Sequence, residues 1–260
     1  METKHYLSKK LTYSLFGSKY YHYVKSKKIL LDYLIGRDYE NIYNVLSRIL
    51  SGNDTVIDVG ANMGQYLARI SKIVTKGKII CIEPLHENVK ALKYLKKFLS
   101  ISNAEIIEKA IGDSESNRII TIPKLKGVPI TTQASLITEK LPIGIDYESR
   151  EVKTTTLDHI VESLKLNNVN FIKSDTEGFD SYVLISGMKT IKRFKPIMQV
   201  EESCFRPEMD WLFDIGYKAI KISNNKIVAI HSSDEEQRYK CETYLIPQNL
   251  LERIQNKLMQ

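Results

Sequence analysis

Cysteine is scarce in this 260-residue chain: Cys81, Cys204 and Cys241 are isolated, odd in number and without Cys-x-x-Cys spacing, which argues against a disulfide framework and a thiolate zinc site. Cys81, inside an apolar run, is expected in a core strand. No run approaches the roughly 18 consecutive apolar residues of a membrane-spanning helix, and the first ten residues lack the apolar stretch of a secretory signal, so a cytoplasmic chain is expected. Internal repeats and low-complexity tracts are absent. Excess charge is missing from the body of the chain as well. The formal charge is +7, but residues 1–30 hold seven lysines against Glu2, leaving 31 basic against 30 acidic residues afterwards. A nucleic-acid reader needs Lys and Arg clustered on its working face, so nucleic acid is disfavoured as a partner.

The basic start has a second character. It contains Tyr6, Tyr13, Tyr20, Tyr21 and Tyr23, with Leu7, Leu11 and Leu15 at helical spacing. Two readings stand: a helical arm packed on the domain or on a second subunit of a homodimer, or a segment touching an anionic membrane face, a glycolipid or an acidic substrate. Residues 1–50 are therefore read as a helical extension and 51–260 as the main domain.

That domain alternates. An amphipathic helix over 38–50 ends at Ser51-Gly52-Asn53-Asp54; a β-branched strand follows over 55–59, a helix over 64–74, a strand over 79–82, a helix over 86–99 and a strand over 106–111. Residues 119–122 read as an extra strand and 123–147 as a long irregular excursion, a kind of loop that is usually functional. Extended 152–155, helix 157–164, strand 171–174, helix 182–191, strand 197–201, helix 209–215 and two terminal strands complete the pattern. The order predicts a doubly wound, mostly parallel seven-stranded α/β sheet of Rossmann-like type with helices on both faces.

In such sheets ligands bind beyond the carboxyl ends of strands, beside the first one. The chemistry-bearing residues fall there. Gly60 permits a tight turn, and Gly64 is expected to let a ligand approach the backbone. The helix start at Gly64-Gln65, with Ala61 and Asn62 before it, offers free N–H groups to a carboxylate. Asp58 is expected to accept from an ammonium, and Glu83, followed by Pro84, from both hydroxyls of a ribose. Asn62 stands where a dinucleotide fingerprint wants its second glycine, which disfavours NAD. Asp175 and Glu177 end the fourth core strand and Glu201-Glu202 the next. A carboxylate there would take a proton from a hydroxyl nucleophile, with Asp175 the first candidate, Glu201 the second and Glu177 beside them. The alternatives are acids that cap the following helix, or hard oxygen ligands for Mg2+. Ala110 and Asp113 are assigned to the rim where an adenine would lie. His159, His231 and Trp211 are read as structural.

Six ordered motifs carry a resemblance: residues 56–65 (Val-Ile-Asp-Val-Gly-Ala-Asn-Met-Gly-Gln), Glu83-Pro84 with Asn88, residues 109–113, Ala134-Ser135-Leu136, Val152 with Thr156-Leu157-Asp158, and residues 171–178 (Phe-Ile-Lys-Ser-Asp-Thr-Glu-Gly). Together they resemble the FkbM-type methyltransferases over about residues 54–202. Ser174 and Thr176 stand where that family often has apolar residues, and His86 replaces a frequent proline. The resemblance implies a class I methyltransferase fold, S-adenosyl-L-methionine as donor, and O-methylation of a hydroxyl, often on a sugar or a natural-product ring. An RNA methyltransferase and a catalytically silent cofactor-fold module are the other two readings.

Overall fold

The computed structural model describes residues 23–37, 42–125, 127–136, 145–201, 207–223, 226–229 and 243–259. Most of the basic start, Glu202, His231, Cys204 and Cys241 lie outside the described residues.

A helix over 23–34, α1, and α2 (Ile42–Ile49) precede β1 (Thr55–Val59), α3 (Gln65–Ile73), β2 (Lys78–Ile82), α4 (His86–Phe98) and β3 (Ala104–Ile107). A short β4 (Ala110–Ile111), β5 (Ser116–Leu125), β6 (Val128–Pro129) and β7 (Asp146–Thr155) form a separate four-stranded sheet in the order β4-β7-β5-β6. Then follow α5 (Leu157–Ser163), β8 (Phe171–Ser174), α6 (Asp180–Ser186), α7 (Met188–Phe194), β9 (Ile197–Val200), α8 (Asp210–Asp214), β10 (Tyr217–Ser223), β11 (Lys226–Ala229), β12 (Thr243–Pro247) and α9 (Leu251–Met259).

The main sheet has eight strands rather than the expected seven, in the order β11-β10-β12-β9-β8-β1-β2-β3. The five from β9 to β3 are parallel, and β12, β10 and β11 add antiparallel pairs. The extra strand is β11, whose Lys226–Ala229 pairs back on β10; a four-residue run gives little periodicity to read. Strand order reverses between β1 and β8, so a crevice opens at their carboxyl ends.

Period-2 alternation assigns each side chain to a face. Val56, Ile79, Cys81, Phe171 and Ile197 share one core with Leu46, Leu67, Ile70, Leu92 and Ile254 of α2, α3, α4 and α9. Ile57, Val59, Ile80, Ile82, Ile172 and Met198 share the other with Leu157, Val183, Ile191 and Leu212 of α5 to α8.

Other boundaries shift. The strand expected over 106–111 is two strands in different sheets, because the chain leaves the main sheet after Ile107. The expected irregular excursion is partly a hairpin: β5 and β7 pair in continuous register from Ser116↔Thr154 to Lys124↔Asp146. Three prolines hide this, but they sit at Pro123 and Pro129, within the sheet, and at Pro142, outside the described residues. The helix expected over 182–191 is two, broken at Gly187, where a Cβ would stand 2.4 Å from Leu157 Cδ2. The same seam explains the Thr156-Leu157-Asp158 motif. Thr156 Oγ1 accepts from His159 N (3.1 Å), capping α5, and Asp158 accepts from Thr190 N (2.8 Å) and Lys189 N (3.1 Å) in the first turn of α7. The terminal helix α9 was not expected at all; its Ile254 and Leu258 close the α2 side of the core.

Among the described residues no helix is long and apolar enough to cross a membrane. Phe171, fully buried at the start of β8, is a test of the core. Phe171→Ala is expected to lower unfolding stability by about 3–5 kcal/mol, read as a lower urea midpoint at unchanged slope.

Candidate active site

A cleft of about 360 Å³ lies at the strand reversal. Its floor is Val59-Gly60 from β1, Ile82-Glu83-Pro84 from β2, Lys173 to Thr176 from β8 and Gln199 to Glu201 from β9. The second sheet supplies a wall through Lys109, Ala110, Ile111 and Ile120, with Thr131, Thr132, Ala134 and Leu136 from the loop after β6.

The loops that shape it leave no room for substitution. Gly60 has φ +75°, and a Cβ there would lie 1.9 Å from the Asp175 carbonyl oxygen, so the exits of β1 and β8 touch only because residue 60 is glycine. Gly64 also has positive φ, but its close neighbours are Leu92 and Leu95 of α4 at 3.0 and 2.9 Å. Gly64 is therefore where α3 packs closely on α4, and neither it nor the buried Ala61 lines the cleft. Asn62 and Gln65 do.

Glu83 sits at the β2 exit with almost no exposed surface. Its Oε1 accepts from Leu85 N (2.9 Å) and Asn88 Nδ2 (3.1 Å), its Oε2 from Asn62 N (2.9 Å). Burial pushes the carboxyl up to about 7 although all three donors favour its charge. A carboxylate has about four lone-pair sites, so one acceptor position is left, on Oε2. Glu83 therefore has capacity for one further hydroxyl, not the two expected.

Two expected residues stand elsewhere. Asp113 is exposed, pairs with Arg118 at 2.6 Å, and does not line the cleft; a hydrogen bond from Ser114 and the guanidinium hold its carboxyl below the usual range. It lies past the β4 turn, beyond the point where the chain leaves the main sheet. Asp58 is fully buried under the floor instead of facing the cleft. Being in phase with Val56 it points to the α3 face, and the parallel register places it opposite Lys173, which is itself opposite Gln199. Asp58, Lys173 and Gln199 thus make a polar row across three strands.

Lys173 is the residue that sequence reasoning missed. Its ammonium lies 3.4 Å from Asp58 Oδ1, 3.1 Å from Asp175 Oδ2 and 4.6 Å from the centre of the Tyr66 ring, whose hydroxyl donates to Gln199 Oε1 at 2.9 Å. Burial alone would lower its pKa; the two carboxylates reverse this and hold it above the ordinary lysine value. Burial raises Asp58 in turn, and Lys173 offsets part of that. A lysine following Phe171-Ile172 in a buried strand was the available signal.

Above the row three acids meet: one carboxylate oxygen each from Asp175, Glu177 and Glu201 lie within 4.8 Å of one another. Burial opposes the charge of Asp175, but Lys173 and a hydrogen bond from Glu201 outweigh it and keep the carboxyl below its usual value. Burial and the neighbouring Asp175 charge push Glu201 up to about 8. Of the two, Glu201 is the better proton holder and Asp175 the better bearer of negative charge. Neither Asp175 nor Glu177 caps the following helix. Asp180 organises the loop instead: its Oδ1 accepts from Ser174 Oγ (2.5 Å), Thr176 Oγ1 (2.7 Å) and Thr176 N (3.1 Å), its Oδ2 from Glu201 N (3.1 Å). The two polar departures from the family pattern, Ser174 and Thr176, are both bonded to this one carboxylate. Ser135 Oγ donates to the Glu177 carbonyl (2.8 Å), which ties the wall of the second sheet to the same loop.

The sequence pattern of the methyltransferase FkbM domain matches residues 58–241, from inside β1 past β11. The chain belongs to this methyltransferase family. No curated protein matches it. Among solved structures it is similar to the methyltransferase FkbM of Methylobacillus flagellatus KT, at 16% identity over 75% of this chain and 44% of that one, with a TM-score of 0.46. This chain thus spans less than half the length of that protein. It is also similar to an S-adenosylmethionine-dependent methyltransferase of Aquifex aeolicus (19% identity, 85% and 98% of the two chains, TM-score 0.38). A third likeness is to Aeropyrum pernix fibrillarin, solved with S-adenosyl-L-methionine bound (12% identity, 79% and 76%, TM-score 0.44).

Removing one partner of a buried ion pair strands the other charge. Lys173→Met is expected to cost about 3–5 kcal/mol in chemical denaturation, and adding Asp58→Leu to recover much of it. Equal instability of the single and double variants would show that the row is not held by charge.

Proposed function

We propose that this FkbM-family protein transfers a methyl group from S-adenosyl-L-methionine to a hydroxyl of a sugar in a glycan, glycolipid or glycosylated natural product. The observation that carries the reading is the Asp175 carboxylate, 3.1 Å from the buried Lys173 ammonium, at the open end of a cleft whose other end holds Glu83.

The residues fit that donor. Glu83 Oε2 has one acceptor site left for a ribose hydroxyl. Ala110 and Ile111 offer an apolar edge beside Pro84 for a base, and Asn62 and Gln65 flank the start of α3 for the amino-acid end. When bound, the donor supplies a methyl group on a positively charged sulfur. What the protein adds is position and proton transfer. Orienting acceptor against donor is worth up to ~7–11 kcal/mol where the geometry is ideal. The acceptor hydroxyl loses its proton to Asp175 as its oxygen attacks, and Glu201, carrying the proton of the pair, hydrogen-bonds the Asp175 carboxylate. Thr131, Thr132 and Glu177 give the acceptor side of the cleft the hydroxyl and carboxylate partners that a polyol needs. Mg2+ is not part of the proposal, because Lys173 already supplies the positive charge at Asp175.

Two outcomes test this. A ribose hydroxyl donates to the ionised form of Glu83, whose carboxyl titrates at about 7 in the free protein. Below that pH the acid carries a proton that must leave for the donor to bind, so affinity is expected to fall as pH falls. Calorimetry should show the dissociation constant rising roughly tenfold from pH 8 to pH 6 in the wild type and far less in Glu83→Gln, which binds weakly throughout. For catalysis, Asp175→Asn is expected to keep donor affinity and to slow methylation of glycan extracts by roughly 10²–10⁴-fold, measured with labelled donor and mass spectrometry. At saturating donor the wild-type rate should not climb through pH 8; a climb there would move the base to Glu201. Tight donor binding with no product on any glycan would favour the silent-module reading.

A further inference from the structure

The helix α1 has two apolar faces and uses only one. Ile29 and Leu30, with Tyr33 beside them, pack against Met63, Ala68, Ala91 and Leu95 of the cradle loop, α3 and α4. On the other side Val24, Leu31, Leu34 and Ile35 are 41, 55, 62 and 54% exposed. Their spacing, with Lys27, runs i, i+3, i+7, i+10, i+11, which is a single stripe of a helix. These four and Tyr23 make five of the thirteen large hydrophobics exposed among the described residues, concentrated on one helix. The stripe continues onto α4: Lys27 Nζ lies 5.5 and 5.9 Å from the ring centres of Tyr94 and Phe98, and Phe98 is half exposed.

The exposed charges of α1 and α4 among the described residues are lysines. Lys27 and Lys28 of α1 and Lys90, Lys93 and Lys97 of α4 are exposed. The only acids on the two helices are Asp32, buried and paired with Arg37 at 3.6 Å, and Glu87, paired with Arg150 of β7. The preceding residues add Lys4, Lys9, Lys10 and Lys19 in sequence. Exposed aliphatic and aromatic side chains flanked by the exposed lysines of α1 and α4 match the chemistry of an anionic bilayer surface, where apolar groups enter the headgroup boundary and lysines stay at the phosphates.

We infer that the outer face of α1, with Phe98 and the lysines of α4, is a docking surface for an anionic lipid bilayer. Because α1 packs on Met63, in the same loop as Asn62, docking would bring the cleft to an acceptor held at the membrane; the surface itself stands independently of which acceptor is methylated.

Sedimentation of the full chain with vesicles of phosphatidylcholine, with and without phosphatidylglycerol, at low and high salt, tests this. The protein is expected to pellet with the anionic vesicles and not the neutral ones, and high salt should weaken the binding. The double variant Leu31→Asp, Leu34→Asp should reduce partitioning by at least roughly tenfold while its affinity for S-adenosylmethionine is unchanged. No pelleting with anionic vesicles, or undiminished pelleting of the variant, overturns the inference. So does sedimentation equilibrium showing a dimer that the same variant splits, since the face would then belong to a second copy.

Discussion

A positive charge buried among strands needs an answer within reach, and in this fold Lys173 has two. Its ammonium lies between Asp58 below the cleft floor and Asp175 at its mouth, with Tyr66 across it and Gln199 alongside. Isolated in such surroundings either charge would cost several kcal/mol, and only mutual neutralisation makes the arrangement tolerable. The row can exist only with β1, β8 and β9 parallel and in their observed register, because a one-residue slip would turn each of these side chains to the opposite face. The ion pair therefore requires the strand order that creates the crevice, and it lowers the pKa of the acid that faces it.

From that constraint the rest of the cleft follows outward. With β8 held against β1, the Asp175 carbonyl reaches the space a side chain at position 60 would fill. With the β8 exit fixed, Asp180 collects Ser174, Thr176 and the Glu201 backbone on one carboxylate and sets the distance between the neighbouring acids. The second sheet then closes the site by a hydrogen bond, Ser135 to Glu177, rather than by continuing the main sheet.

The parallel strands β1, β2, β8 and β9 and the cradle between them were legible in the sequence because their signals are local: a β-branched run, a glycine-bordered turn, a Glu-Pro at a strand end. Glu83, Asn62, Gln65, Ala110, Asp175, Glu177 and Glu201 all reach the cleft. Asp58 was misplaced for a reason that period-2 counting contains: it shares a face with Val56, and that face belongs to α3. What no single segment encodes is register, so nothing adjacent in sequence shows that Asp58 faces Lys173 across 115 positions. The β5–β7 hairpin was hidden for a related reason. Its strands are separated by a long connection, and its prolines mimic a loop although Pro123 keeps its place opposite Tyr147.

Two carboxyl groups in one cleft are held at opposite ends of their range, and both depth and partners differ: Glu83 is buried, whereas Asp175 is half-exposed and faces a full charge. Glu83 is answered only by neutral donors, two backbone amides and the Asn88 side chain, so burial wins and the group is poised near neutrality. Asp175 is only partly shielded, and a full positive charge 3.1 Å away holds its carboxyl below the usual carboxylate range. That contrast suits one residue to a ligand hydroxyl whose arrival completes its ionisation, and the other to a hydroxyl whose proton it accepts. Were Lys173 to answer Glu83 instead, the same acids at the same positions would exchange roles; the site's chemistry is set by which strand carries the lysine.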